Sequence, residues 1–375
     1  MAIFPDKLKS VYLQCGGRLE TVSLQQARQY PNFIRLWDAD SSRFGDIYHK
    51  SEYLAAAERA EAGTIILIRY DHQIGSVLRA VTLRELNVDG VRGRYDATSP
   101  FEYGGPIVSS TEVGKRQTLI DNAQLAYLNF CSNAGIVAEF VRFNPVLINH
   151  AGWEKHYSLR ESCQNIVIDL RPPLEQIIAN YSASQRRNMR IAEREGILVR
   201  QPDFDPGAAT EFKDSYFRTM DRRGAGKSYY FPENYFVALC KLAPKYLNYY
   251  HAASASGKTL ASLVTLTSEK IAHSHLLCTT EIGLKTKATS LLYRLANVDL
   301  RSKNIEVFHL GGAAPSQTGV LEFKQRFSDY RRSYVVGSLV IDRQVYERLC
   351  RAQNVDSTDR DFFPAYRNDS SHSAN

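Results

Sequence analysis

The sequence predicts an α/β fold in which one domain occurs twice. Two observations point there. At 375 residues the chain exceeds what one hydrophobic core usually serves, and two stretches repeat one order of strands, hairpin, helix and strand. In the first, apolar runs beginning at Thr64 and Gly75 flank Asp71-His72-Gln73, a hairpin signal. A loop with Tyr103-Gly104-Gly105-Pro106 follows. Helical spacing then covers 117–133 (Leu119, Ala123, Leu125, Leu128), and a strand covers 137–143. In the second, strands over 247–253 and 260–267 flank Ser254-Ala-Ser-Gly257-Lys258. Another strand covers 271–279, and Ala288, Leu291, Leu292, Leu295 and Val298 repeat at helical spacing. A short buried strand over 305–310 closes the unit.

Between the copies lies a helical insert. A long, polar-faced helix is expected over 174–195, stopped by Gly196, with further helices over 212–220 and 235–242. A strand over 334–341 suits either sheet. The expected domains are residues 1–164 with a C-terminal return over 338–367, and 165–337 carrying the insert. The polar tail from Asn368 is expected to be disordered.

Composition narrows the function. No apolar run approaches the ~20 residues of a membrane span, and the first residues lack a signal peptide's pattern, so a cytoplasmic location is expected. Six cysteines stand singly (Cys15, Cys131, Cys163, Cys240, Cys278, Cys350), without the Cys-x-x-Cys of zinc or redox sites. A formal charge of +7 suits a polyanionic ligand. Walker, nucleophile-elbow and dinucleotide motifs are absent, so no cofactor and no metal are expected.

One segment stands out, Phe308-His309-Leu-Gly311-Gly312 followed by Leu321-Glu-Phe323-Lys324-Gln-Arg-Phe327. A strand ends on two glycines, where another molecule could approach the backbone, and a loop then delivers Lys324 between two aromatics. His309 adjoins the glycines, and His273 and His275 alternate along a strand, which puts both on one face. Without a third ligand they read as structural. Upstream, Arg186, Arg190 and Arg194 recur at helical spacing. They repel by a few tenths of a kcal/mol per pair and would welcome an anion. An acetyl-coenzyme A fold would offer a glycine-rich turn after the strand 271–279. The junction reads Thr280-Glu281-Ile282-Gly283-Leu284-Lys285, with one glycine and an acid, which disfavours that pose.

Together these segments resemble the Fem family of aminoacyl-tRNA-dependent peptidyl transferases, over residues 44–363. Ser184-Gln-Arg186-Arg187-Asn188-Met-Arg190-Ile-Ala192 is similar to the family's Arg-Asn-Ile-Arg-Lys-Ala helix. Phe323-Lys324-Gln-Arg-Phe327 is similar to its Phe-Lys-x-x-Phe, and Tyr103-Gly104-Gly105-Pro106 to its first-domain Gly-Pro loop. The resemblance implies two tandem acetyltransferase-like (GNAT-type) domains with a helical insert in the second. It implies aminoacyl-tRNA as partner and a small or saccharide-linked amine as acceptor. It further implies donor contacts at Arg186, Arg187, Asn188 and Arg190, and acceptor contacts at Tyr103, Gly104, Gly105, Phe231, Tyr235, Gly311 and Gly312.

Three features depart from the family. Phe231 stands where members acting on a nucleotide-linked precursor carry arginine, Ser109 stands where some carry aspartate, and 174–195 is too short for the long coiled-coil arm.

The implied reaction is attack of an amine on an aminoacyl ester, with Lys324, beside Phe323, stabilising the oxyanion. Asp96, His309 or a substrate group could take the amine's proton. An acyl-coenzyme A N-acyltransferase and a non-catalytic glycan- or nucleotide-binding module are the alternatives.

Overall fold

The computed structural model describes residues 7–13, 16–88, 91–313, 318–359 and 362–368. The tail beyond Asn368, Cys15 and the stretch 314–317 ahead of Lys324 lie outside them. The chain forms two units, Met1–Ser162 with Tyr334–Asn375, and Cys163–Ser333.

In the first unit, β1 (Lys9–Tyr12), β2 (Arg18–Ser23), α1 (Leu24–Ala27), α2 (Pro31–Phe44) and α3 (Ser51–Ala60) precede the hairpin β3 (Thr64–His72) and β4 (Gly75–Glu85). Then come β5 (Tyr95–Thr98), β6 (Ile107–Ser110), α4 (Arg116–Ala134) and β7 (Ile136–Arg142). The strands lie in the order β1-β2-β3-β4-β5-β7, antiparallel except β5 beside β7, and β6 pairs with β4. One stripe of α4 (Leu119, Ile120, Ala123, Tyr127) packs on Ile66, Ile68, Val81 and Val141 of the sheet. Gly135, at φ 70°, ends α4 in the left-handed cap that glycine adopts without a Cβ penalty.

The second unit is entered by β8 (Ser158–Asp169), followed by α5 (Leu174–Ala179), α6 (Ala183–Arg194), β9 (Leu198–Arg200), α7 (Pro206–Arg223) and α8 (Glu233–Cys240). The hairpin β10 (Leu247–Ala253) and β11 (Thr259–Ser268) follows, then β12 (Ile271–Thr279), α9 (Glu281–Lys285), α10 (Ala288–Ser302), β13 (Val307–Gly311) and α11 (Thr318–Gln325). Its strand order is β8-β13-β12-β11-β10-β9, with only β12 and β13 parallel. Leu291, Leu292, Ala296 and Leu300 of α10 close a core with Leu263, Ala272 and Phe308.

One helix was expected over 174–195, and two are found. Ser182 breaks the run because its Oγ accepts the amide of Gln185 at 3.1 Å, which satisfies a donor that a fresh helix start would leave bare.

The last segment completes the first unit. β14 (Arg331–Val340) pairs through Val336–Val340 with β7, and Tyr346 and Leu349 of α12 (Arg343–Ala352) pack with Leu86, Val137 and Tyr366. Each unit thus carries a hairpin, a strand, a helix and a parallel strand: β3, β4, β5, α4, β7 in one and β10, β11, β12, α10, β13 in the other. The insert, α5 to α8, has no helix longer than the 18 residues of α7.

Candidate active site

The two parallel strand pairs differ at their ends. In the second unit β12 and β13 pair only at Ile271–Val307, Ala272–Phe308 and His273–His309, and then part. Both carry a register shift just past that point, β12 against β11, where His275 is the extra residue, and β13 against β8 between His309 and Gly311. Such irregularities bend a strand and re-aim its side chains. In the first unit the equivalent pair stays closed. Beyond Thr98, Ser99 donates to the Phe140 carbonyl (3.1 Å), Gly104 to that of Arg142 (2.7 Å), and the Arg142 guanidinium to those of Ser99 (2.5 Å) and Pro100 (3.0 Å).

Where β12 and β13 part, His309 is buried with both ring nitrogens engaged. Nδ1 lies 2.9 Å from Nδ1 of His273 and Nε2 lies 3.0 Å from Oδ1 of Asn165. It orders the strand ends and presents no nitrogen as a base. His275 shares a 2.6 Å hydrogen bond with the Tyr235 hydroxyl, and burial, followed by the neighbouring His273, pushes its pKa down to about 3. On the opposite course Ser274 Oγ meets the Tyr293 hydroxyl at 2.9 Å. Among the described residues no three His, Cys, Asp or Glu are grouped to hold a metal ion.

Lys324 sits on a helix, α11, where a loop was expected. Phe323 and Phe327 pack against Tyr293 at centroid distances of 6.0 and 4.6 Å, and Phe327 also meets Tyr181 at 5.3 Å. Held by these rings, half-buried Lys324 donates to the Gly312 carbonyl at 2.5 Å, at the end of β13. The glycine pair itself answers to packing. A Cβ on Gly312 would lie 2.7 Å from Cys163 Sγ and 2.8 Å from the Gln164 carbonyl, so β8 occupies the space the sequence reading left for a visiting molecule. Gly311, at φ 77°, needs its glycine for conformation.

Several expected site residues have other duties. Asp96 is fully buried in the first unit, with Oδ1 accepting from Arg84 (2.7 Å) and Oδ2 from Arg367 and Tyr366. A carboxylate held by two guanidinium groups is a poor general base, and Asp96 is a structural anchor. Arg186 turns back to the carbonyls of Ala179 and Tyr181 and caps α5, so it leaves the expected stripe. Exposed Arg187, Arg190 and Arg194 line a recess with Glu193 instead, and Asn188 is half-buried beside them. Tyr235 and Phe231 are buried, 5.0 Å apart, in the aromatic packing of α7 and α8, and offer no face to an acceptor.

The Tyr103 loop belongs to the first unit. Asn149 binds the carbonyls of Gly104 and Pro106, and His49 reaches that of Gly105. Gly105 has φ 78°, and a Cβ there would meet the Phe143 ring at 2.8 Å. Tyr103 stays half-buried, edge-on to Tyr48 and Tyr334.

With this geometry the solved structures become informative. FemX matches at a TM-score of 0.66 and 8% identity, covering 84% of this chain and 98% of its own. The fold is Fem-like. L-PGS from Bacillus licheniformis matches at 0.52 and 15% identity, covering 81% of this chain and 91% of its own. The C-terminal domain of a putative lysylphosphatidylglycerol synthetase from Agrobacterium fabrum matches at 0.50 and 13%, covering 84% and 96%. The chain therefore has the fold of FemX, with a hairpin, a strand, a helix and a parallel strand in each unit. No protein-family model and no curated protein matches the sequence. No described helix is long and apolar enough to cross a membrane.

Proposed function

We propose that the protein is an aminoacyltransferase that moves an aminoacyl group from charged tRNA to an amine acceptor. The observation carrying this reading is Lys324, fixed by two aromatics and the Gly312 carbonyl at the strand ends where β12 and β13 part. An ester carbonyl set there would have a cation already oriented toward its oxygen.

The acceptor amine attacks that carbonyl, and a C–N bond forms while the carbonyl electron pair moves to oxygen. Lys324 stabilises the oxyanion, a kind of contact whose removal costs about 2.7–4 kcal/mol. Collapse breaks the C–O bond to ribose. The amine gives up one proton and the departing ribose oxygen gains one. Since Asp96 and His309 are both committed within the protein, substrate groups carry that proton. No covalent enzyme intermediate is needed.

Coenzyme A is the poorer donor for this site. Gly283 is the one glycine at the β12–α9 junction, and a Cβ there would lie 2.1 Å from the Leu260 carbonyl. That glycine serves packing, and Thr280 Oγ1 takes its amide at 3.0 Å. The decisive experiment incubates the protein with total tRNA charged with labelled amino acids and a metabolite extract. Ribonuclease-sensitive transfer to small amines is expected. Ribonuclease-resistant transfer from acyl-coenzyme A alone would overturn the reading in favour of that donor, and failure of every donor would leave a binding module.

A further inference from the structure

The helix α7 ends on a cation that the reaction above does not use. Thr219 Oγ1 accepts the Thr279 amide (3.1 Å) and donates to the Thr279 carbonyl (3.2 Å), and Arg222 donates to the same carbonyl at 2.7 Å. These bonds tie the end of α7 to the end of β12. The next residue, Arg223, closes α7 ahead of Gly224, whose φ of 60° stops the helix. Arg223 has no hydrogen-bond or ion-pair partner among the described residues. The nearby carboxylate, Asp221, is committed to the Tyr230 hydroxyl at 2.7 Å.

The surroundings of Arg223 are poor for an idle charge. Solvent reaches it, yet partial burial and the adjacent Arg222 charge both push its pKa down. Tyr293, Tyr216 and Tyr229 are its other electrostatic neighbours. Tyr293 is also the ring against which Phe323, next to Lys324, is packed. The bonds of Thr219 and Arg222 to Thr279 set Arg223 at the end of β12, the strand whose Ser274 holds the Tyr293 hydroxyl, and this puts Arg223 at the candidate site's strand ends. A guanidinium without a carboxylate, presenting a planar fork of donors, is suited to the tetrahedral oxygens of a phosphate.

We infer that Arg223 binds a phosphate of the acyl donor, placing the adjoining ester against Lys324. This inference rests on the acyltransfer reading given above. In aminoacyl-tRNA the group would be a phosphodiester of the acceptor end; in an acyl-coenzyme A it would be one of that molecule's phosphates. The chemistry at Arg223 is the same, and the experiment separates the sources.

The test uses the full chain and compares wild type, Arg223→Met and Arg223→Lys. Steady-state transfer from charged tRNA is measured across a salt series, and binding of uncharged tRNA and of coenzyme A is measured directly. For Arg223→Met, KM for the donor is expected to rise about tenfold, with the loss falling mainly on KM. The slope of log affinity against log salt should fall by about one, as one phosphate contact is lost. Arg223→Lys should restore part of the affinity. Because Arg223 is exposed, the variants should unfold at the wild-type temperature, and that measurement guards against a folding artefact. Wild-type donor KM and salt slope in Arg223→Met would overturn the inference while leaving tRNA-dependent transfer intact. A rise confined to the acceptor's KM would overturn it equally. If wild type instead binds coenzyme A in an Arg223-dependent way and ignores tRNA, the phosphate site stands and the donor assignment fails.

Discussion

At the scale of single residues, Lys324 carries the sharpest expectation. Lys324→Met keeps the chain length and removes the charge, so kcat and kcat/KM should fall together by roughly 10²–10³. Lys324→Arg should recover part, since a planar fork fits poorly where an ammonium meets Gly312. Wild-type turnover in the Met variant would remove Lys324 from the chemistry. His275 gives a second expectation, in pH. Its folded pKa of about 3 lies below the unfolded value of about 6.5, so below pH 6.5 the unfolded chain binds the extra proton. The stability this neutral histidine contributes is complete above pH 6.5 and is lost progressively as pH falls toward 3. Replacing His275 by Gln should flatten the pH dependence of urea unfolding between those values; an unchanged curve would contradict the assignment. The aromatic-Lys-aromatic spacing around Lys324 was legible in the sequence because it is local. The engagement of Asp96 by Arg367, and of His309 by Asn165, was not, because each partner lies far along the chain.

At the scale of elements, the sequence spoke clearly wherever an apolar period was long. The hairpins, α4 and α10 each bury a regular stripe, and their reading needed no tertiary knowledge. It failed where a short polar signal competes with such a period, as at Ser182. Merging α5 and α6 also misplaced Arg186, which looks like a stripe member on a continuous helix and is a cap once the helix is broken. Ser182→Ala should therefore cost about 1 kcal/mol, read as a lower unfolding midpoint, because the Gln185 amide loses its acceptor. The glycines at the end of β13 teach the same lesson. Gly312→Ala forces a methyl against Cys163 and Gln164 and should cost about 1–3 kcal/mol by overpacking. It should also reduce kcat, since the Gly312 carbonyl is the group that holds Lys324. An unaltered kcat would mean that this hydrogen bond does not set the lysine's position.

At the scale of the whole molecule, the first unit is discontinuous in sequence. Residues 1–162 supply most of its sheet, but β14 completes β7, Tyr346 and Leu349 complete a core cluster, and Arg367 reaches Asp96. A chain ending at residue 333 should leave β7 with an unpaired edge and Asp96 with one guanidinium fewer. Amide exchange in β7 should then lose most of its protection, and proteolysis should cut the first unit before the second; equal protection in both chains would refute this. The same arrangement has a consequence for biosynthesis. At ribosomal speeds of about 5–20 residues per second, the N-terminal strands wait roughly 10–35 s for their final neighbour while the intervening 171 residues are made. Through that interval the nascent chain carries an open sheet edge that invites chaperones or aggregation. Once that strand docks, it certifies that translation has passed Val340. Products interrupted between residue 162 and that strand would be marked for destruction by the unfinished state of their first unit.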